Sequence, residues 1–163
     1  RFLALGADVI GLPEDLGTQD RLIMGPPHFR RLILPAYRQL TGLIHGRALT
    51  HIHSDGYIME IADDLLSCGF DIINPQDLVN GVAELKRAFK GRACIDLDID
   101  RQRILPFGTP GEIHDLIEME IKELGSERGG LMLTAGIYPP TPPENVDALC
   151  RAIIKWKDFH LGG

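Results

Sequence analysis

Cysteine is scarce: Cys68, Cys94 and Cys150 are the 3 in a chain of 163 residues. They are odd in number and far apart, and no C-x-x-C pair occurs, so neither a disulfide framework nor a zinc knuckle is indicated. Each is read as a small buried hydrophobe. Aromatic residues make up only 6%, and the single tryptophan, Trp156, falls near the end of a helix, where packing is its expected role. No apolar run reaches the roughly 18 residues of a membrane span. The opening RFLALGADVI also lacks the basic start and small-residue cleavage site of a secretory signal. A cytoplasmic protein without a membrane partner is expected. A basic stripe is absent too, since 17 Lys and Arg against 23 Asp and Glu leave a net charge of −6. That argues against a nucleic-acid partner and for a cationic or metal-bearing one. The chain does not open on methionine; Arg1 begins what reads as the last turn of a helix closed by Gly6, so a piece of something longer is expected.

What is present is the material of a globular α/β protein, 44% hydrophobic and 25% charged. Short apolar runs at Val9 to Leu12, Ala48 to Ile52, Asp71 to Ile73, Ala93 to Ile99 and Leu131 to Thr134 predict five strands. Between them, apolar residues recur at three and four. Phe29, Leu32, Ile33, Ala36, Tyr37 and Leu40 form one stripe, interrupted by Pro35, which should kink or divide the helix. Ile58 to Leu66, Ile113 to Leu124 and Val146 to Ile153 form others, with a shorter helix over Val82 to Phe89. Thr109-Pro110-Gly111-Glu112 and Thr141-Pro142-Pro143-Glu144 both read as capped helix starts. Strands alternating with helices, and apolar on both faces, imply a parallel sheet covered by helices. No G-x-G-x-x-G follows any strand, which removes the main support for a nucleotide-binding open sheet. Five units fit a parallel (β/α) barrel of TIM type carrying about five of its eight units, with residues 1–163 as one partial barrel.

In such folds the chemistry sits where strands end. Here those ends carry Glu14-Asp15, then His51, His53 and Asp55, then Asn74, Gln76 and Asp77, then Asp96, Asp98 and Asp100, and last Gly136-Ile137-Tyr138. His51 and His53 lie two apart, so they share a strand face, with Asp55 added if the strand runs on. A His-x-His with a carboxylate suits zinc or another divalent metal, with Glu14 or Asp98 completing the set; the alternative is that one His packs in the barrel and the other bonds a neighbouring carboxylate. Asp96, Asp98 and Asp100 would line one face, raising at least one pKa if buried together. The alternative is that Asp100 caps the next loop while Arg101 or Arg103 neutralises its neighbours. The candidate catalytic residues are Asp55, Asp98, Asp100 and Tyr138, and the candidate metal ligands His53, Asp55 and Glu14.

The runs GADVIGLPEDLGTQ, GPPHFRRLILPAYRQL, HIHSDGYIMEIADDLLSCGFDIINPQD, ILPFGTPGEI and YPPTPPENVDAL together resemble, in order and spacing, the C-terminal signatures of the uroporphyrinogen decarboxylase superfamily. The resemblance implies an eight-unit barrel and one of two chemistries. One is cofactor-free decarboxylation of uroporphyrinogen in tetrapyrrole synthesis; the other is zinc-dependent methyl transfer between a corrinoid protein and a thiol. Methyltransferases of the group carry His-x-Cys and a later Cys; here these positions read His53-Ser54-Asp55 and Ala135. The resemblance therefore implies a methyltransferase-like site altered toward oxygen ligands, with a corrinoid-related ligand or corrinoid protein as partner. A decarboxylase, or a binding module without catalysis, are the other readings, and the five units alone are not expected to turn over substrate. Two open sheet edges imply self-association.

Overall fold

The computed structural model describes residues 1–160. A 3-10 turn over Phe2–Leu5 ends at Gly6, and five β/α units follow. In chain order the elements are β1 (Val9–Glu14), α1 (Pro26–Leu32), α2 (Leu34–Ile44), β2 (Leu49–Ser54), α3 (Ala62–Ser67), β3 (Ile72–Pro75), α4 (Asp77–Asn80) and α5 (Val82–Phe89). Then come β4 (Cys94–Asp98), α6 (Ile104–Phe107), α7 (Pro110–Leu124), β5 (Leu131–Thr134) and α8 (Pro143–Trp156). Every strand pairs in parallel with its sequence neighbour, in the order β1-β2-β3-β4-β5. A doubly wound sheet reverses direction at a switch point; this one never does, which is the order of a barrel wall.

Local chemistry accounts for most boundaries. Pro35 divides the first long stripe, so α1 ends at Leu32 and α2 restarts at Leu34 with the proline in its first turn, where no amide is needed. Thr109 forms a complete capping box with Glu112, which satisfies amides that the start of α7 would otherwise leave bare. The second expected cap is displaced. Pro142 precedes another proline, which holds it extended at φ −69, ψ 147, so the helix starts at Pro143 and Thr141 does not cap it.

The sheet has two unlike faces, a departure from the expectation of strands apolar on both. Ile52, Ile73, Ile95 and Leu97 face the helices and form the core with Phe29, Leu65, Leu85, Phe89 and Ile117. On the opposite, concave face the register aligns His53 with Asn74 and Asp98 with Thr134, a polar lumen. Cys68 is buried, but Cys94 is half-buried and Cys150 exposed, so the reading of all three as buried hydrophobes fails at Cys150. No helix of the described residues is long and apolar enough to cross a membrane.

Polar groups also tie the helix layer to the strand ends. Asp77 accepts the amides of Leu78 at 2.5 Å and Asp100 at 2.8 Å, which joins the turns after β3 and β4. Glu120 of α7 is fully buried beside it, with no donor offered to either oxygen. Burial, then the Asp77 charge, pushes Glu120 far above the carboxylate range, so it stays protonated and donates to Asp77. Folding thus takes up a proton, and the contribution is lost as pH rises from the ordinary Glu value through the raised one. Glu120→Gln keeps a neutral donor; it is expected to melt above the wild type at alkaline pH and to flatten the fall of Tm with pH. Parallel Tm curves for the two proteins would contradict the shared proton.

Candidate functional site

Strand parity decides which carboxylates reach the lumen. Pro13 is the register partner of His53 and Glu14 of Ser54, so Glu14 turns to the helix side. There it lies beside Tyr37, whose hydroxyl is pushed up first by burial and then by the Glu14 charge. Glu14 is therefore not the third ligand that the sequence suggested. Asp15, one residue on, takes that place: Asp15, His53 and Asp55 each bring one ligand atom to within 4.8 Å of the others. A lone sequence cannot choose between adjacent acids, because the choice needs the β1–β2 register.

The loops carrying these acids are packed backbone to backbone. The Gly17 amide donates to the Asp55 carbonyl at 3.3 Å, and the Leu16 amide to Ser54 Oγ at 2.9 Å. Gly56 has φ +79, and a Cβ on it would lie 2.2 Å from the Gly17 carbonyl. Gln76 and Asn80 hold the second loop from below, accepting the amides of Gly56 and Ile58 at 2.8 and 2.9 Å.

Within the lumen the two histidines have separate partners. His51 Nε2 donates to Asp96 Oδ2 at 3.0 Å, and Thr134 Oγ1 donates to the other oxygen at 2.7 Å. Burial raises the Asp96 pKa most, but these two bonds together with the charges of His51 and His53 outweigh it, so the carboxyl sits below its ordinary value and is ionised. His53 Nδ1 lies 2.7 Å from Asn74 Oδ1, and its Nε2 lies 3.3 Å from Asp55 Oδ1. An amide oxygen accepts only, so Nδ1 carries a hydrogen. In a neutral ring Nε2 then meets the carboxylate acceptor against acceptor, an arrangement that a cation between them relieves.

Arg101 bridges the remaining acids, each at 2.5 Å: Asp55 Oδ1 through one nitrogen and Asp98 Oδ2 through another. Its guanidinium carbon lies 5.9 Å from the ring centre of the half-exposed Tyr138, which places Tyr138 at the rim. Asp100 stands apart. Its carboxylate accepts the amides of Gln102, Arg103 and Ile104 at 3.1, 3.0 and 2.6 Å and so caps the loop, leaving it no part in the cluster. Asp55, Asp98 and Tyr138 are thus gathered around one arginine, whereas Glu14 and Asp100 are not. Sequence reasoning offered Arg101 only as a neutralising charge and did not single out Thr134; the pairing of β4 with β5 brings Thr134 to Asp96, and the turn after β4 brings Arg101 to Asp98 and Asp55.

The model for the family described as uroporphyrinogen decarboxylase (URO-D) matches residues 1–156. The chain belongs to the uroporphyrinogen decarboxylase family. Two curated relatives, the Methylcobamide:CoM methyltransferases MtaA of Methanosarcina barkeri and of its strain Fusaro / DSM 804, are each 30% identical over 150 residues. These matches cover 90% of this chain and 41% of each relative, so the chain spans about two fifths of their length. A solved methyltransferase from Methanosarcina mazei superposes with a TM-score of 0.66 at 27% identity, over 95% of this chain and 44% of that one. Both the family and the partial barrel expected from the sequence are therefore established.

Asp98 is only 3% exposed, and burial, partly offset by Arg101, raises its pKa to about 6. Because the folded value exceeds the ordinary 3.8, the folded state gains stability relative to the unfolded one as pH falls from about 6 toward 4. Carbon NMR of the Asp98 carboxyl should show a midpoint near 6, and a midpoint at the ordinary 3.8 would rule out dominant desolvation.

Proposed function

We propose that this chain forms part of a cytoplasmic, corrinoid-linked methyltransferase barrel whose cation site is built from oxygen ligands. The carrying observation is the convergence of Asp15, His53 and Asp55 to within 4.8 Å on the lumen rim. The donor set fits a divalent cation: one imidazole nitrogen with its lone pair free, and two carboxylates that neutralise the charge. It is harder than a thiolate set, consistent with His53-Ser54-Asp55 standing where the family's methyltransferases carry His-x-Cys. The similarity to methylcobamide:CoM methyltransferases supports a methylated corrinoid, carried by a protein partner, as methyl donor.

A bound zinc or similar ion would supply Lewis-acid activation of the methyl acceptor. The chain's own residues divide the remaining work. His53, Asp15 and Asp55 hold the charge at the rim, and Arg101 orients Asp55. Asp98 sits behind Arg101 with a pKa of about 6 and can hold or release a proton there. Tyr138 lines the rim beside the guanidinium. Lumen carboxylates Asp55, Asp96 and Asp98 would repel a polyanionic tetrapyrrole, which places the decarboxylase reading second.

Val9, Leu49 and Met132 are apolar and 44%, 50% and 43% exposed, and β1 and β5 each have an open edge among the described strands. Further barrel wall or a second copy would cover them. Light scattering should show self-association of the isolated chain; a monodisperse monomer would argue against it. For the cation site, the chain should retain about one zinc per molecule after dialysis and lose it on His53→Ala with the fold intact by circular dichroism. A wild type that retains none would remove the site.

A further inference from the structure

Asn74 stands beside His53 on the lumen face as its register partner in β3, and is 6% exposed. Its carboxamide has two ends and two fixed neighbours. Nδ2 donates to the main-chain carbonyl of Asp96. A carbonyl only accepts, so the nitrogen end of the amide is assigned by chemistry. The oxygen end therefore faces His53, 2.7 Å from Nδ1. That oxygen only accepts as well, and a neutral imidazole has one ring hydrogen to give.

We propose that Asn74 is a positioning residue: anchored on the Asp96 carbonyl, it holds His53 in the Nδ1–H tautomer and turns the Nε2 lone pair toward Asp15 and Asp55. The amide does this without charge. A carboxylate in its place would set the same tautomer but would add a negative group beside Asp96 and Asp98, and it would meet the Asp96 carbonyl acceptor to acceptor. Asn74 also spans three strands, receiving a hydrogen bond from a β2 side chain and giving one to the β4 backbone, so the direction of the His53 ring is set by the sheet itself. The use of the lone pair for a cation rests on the proposed function, whereas the tautomer does not.

Nitrogen-15 spectra of the histidine-labelled chain, recorded without metal at mildly alkaline pH, should show His53 with a protonated Nδ1 and a bare Nε2. Asn74→Leu should lose that preference and bind zinc about 10–100-fold more weakly by calorimetry, the usual effect of removing a group that orients a ligand. Asn74→Asp should keep the tautomer and most of the zinc affinity while melting at lower temperature, which separates positioning from stability. A wild-type His53 protonated at Nε2 would overturn the inference even if Asn74→Leu fails to fold, as would a folded Asn74→Leu with unchanged zinc affinity. A wild type with the expected tautomer that takes up no zinc would sink the cation site alone and leave the hold of Asn74 on His53 standing.

Discussion

The loop after β1 lies with its backbone against the backbone of the loop after β2, and at Gly17 and Gly56 the approach leaves no room for a side chain on either. That contact sets where Asp15 stops relative to Asp55. A Cβ at Gly56 would carry both a left-handed φ and a collision with main-chain atoms that have nowhere to move. The gathering of Asp15, His53 and Asp55 at the rim therefore follows from main-chain packing, and the side chains only finish what the glycines permit. Ser54, Gln76 and Asn80 close the arrangement by taking the amides that the two loops would otherwise leave bare.

Around this contact the molecule meets the cost of polar burial in three ways. Ionised Asp96 is offset by two donors, and Asp98 shares the guanidinium of Arg101 with Asp55. Glu120 is kept neutral instead, because no cation reaches it. Apart from Glu120 and its partner Asp77, the helix side is filled mainly by Ile, Leu and Phe. The sheet thus divides the chain into a mainly apolar helix layer and a polar lumen face.

Much of this architecture was legible because its signals are local. Short apolar runs placed all five strands and spacings of three and four the long helices, Pro35 announced the break between α1 and α2, and the Thr109 capping box stood where four residues foretold it. The site was legible only as a set of strand-end acids. Choosing Asp15 over Glu14 depends on which residue of β1 pairs with His53, and separating Asp98 from Asp100 depends on how the chain turns after β4. Neither can be counted along one segment, because each is decided by a neighbour distant in sequence. The Thr141 cap failed for a local reason that outranked another, the extended conformation imposed on Pro142 by the proline after it.

The strand order carries a consequence for how such a chain is made. Because each strand pairs only with the ones immediately before and after it in sequence, a newly synthesised segment finds its template already in place. Growth can proceed unit by unit from the amino end, each closure spanning one helical crossover, and the order of translation then becomes the order of assembly.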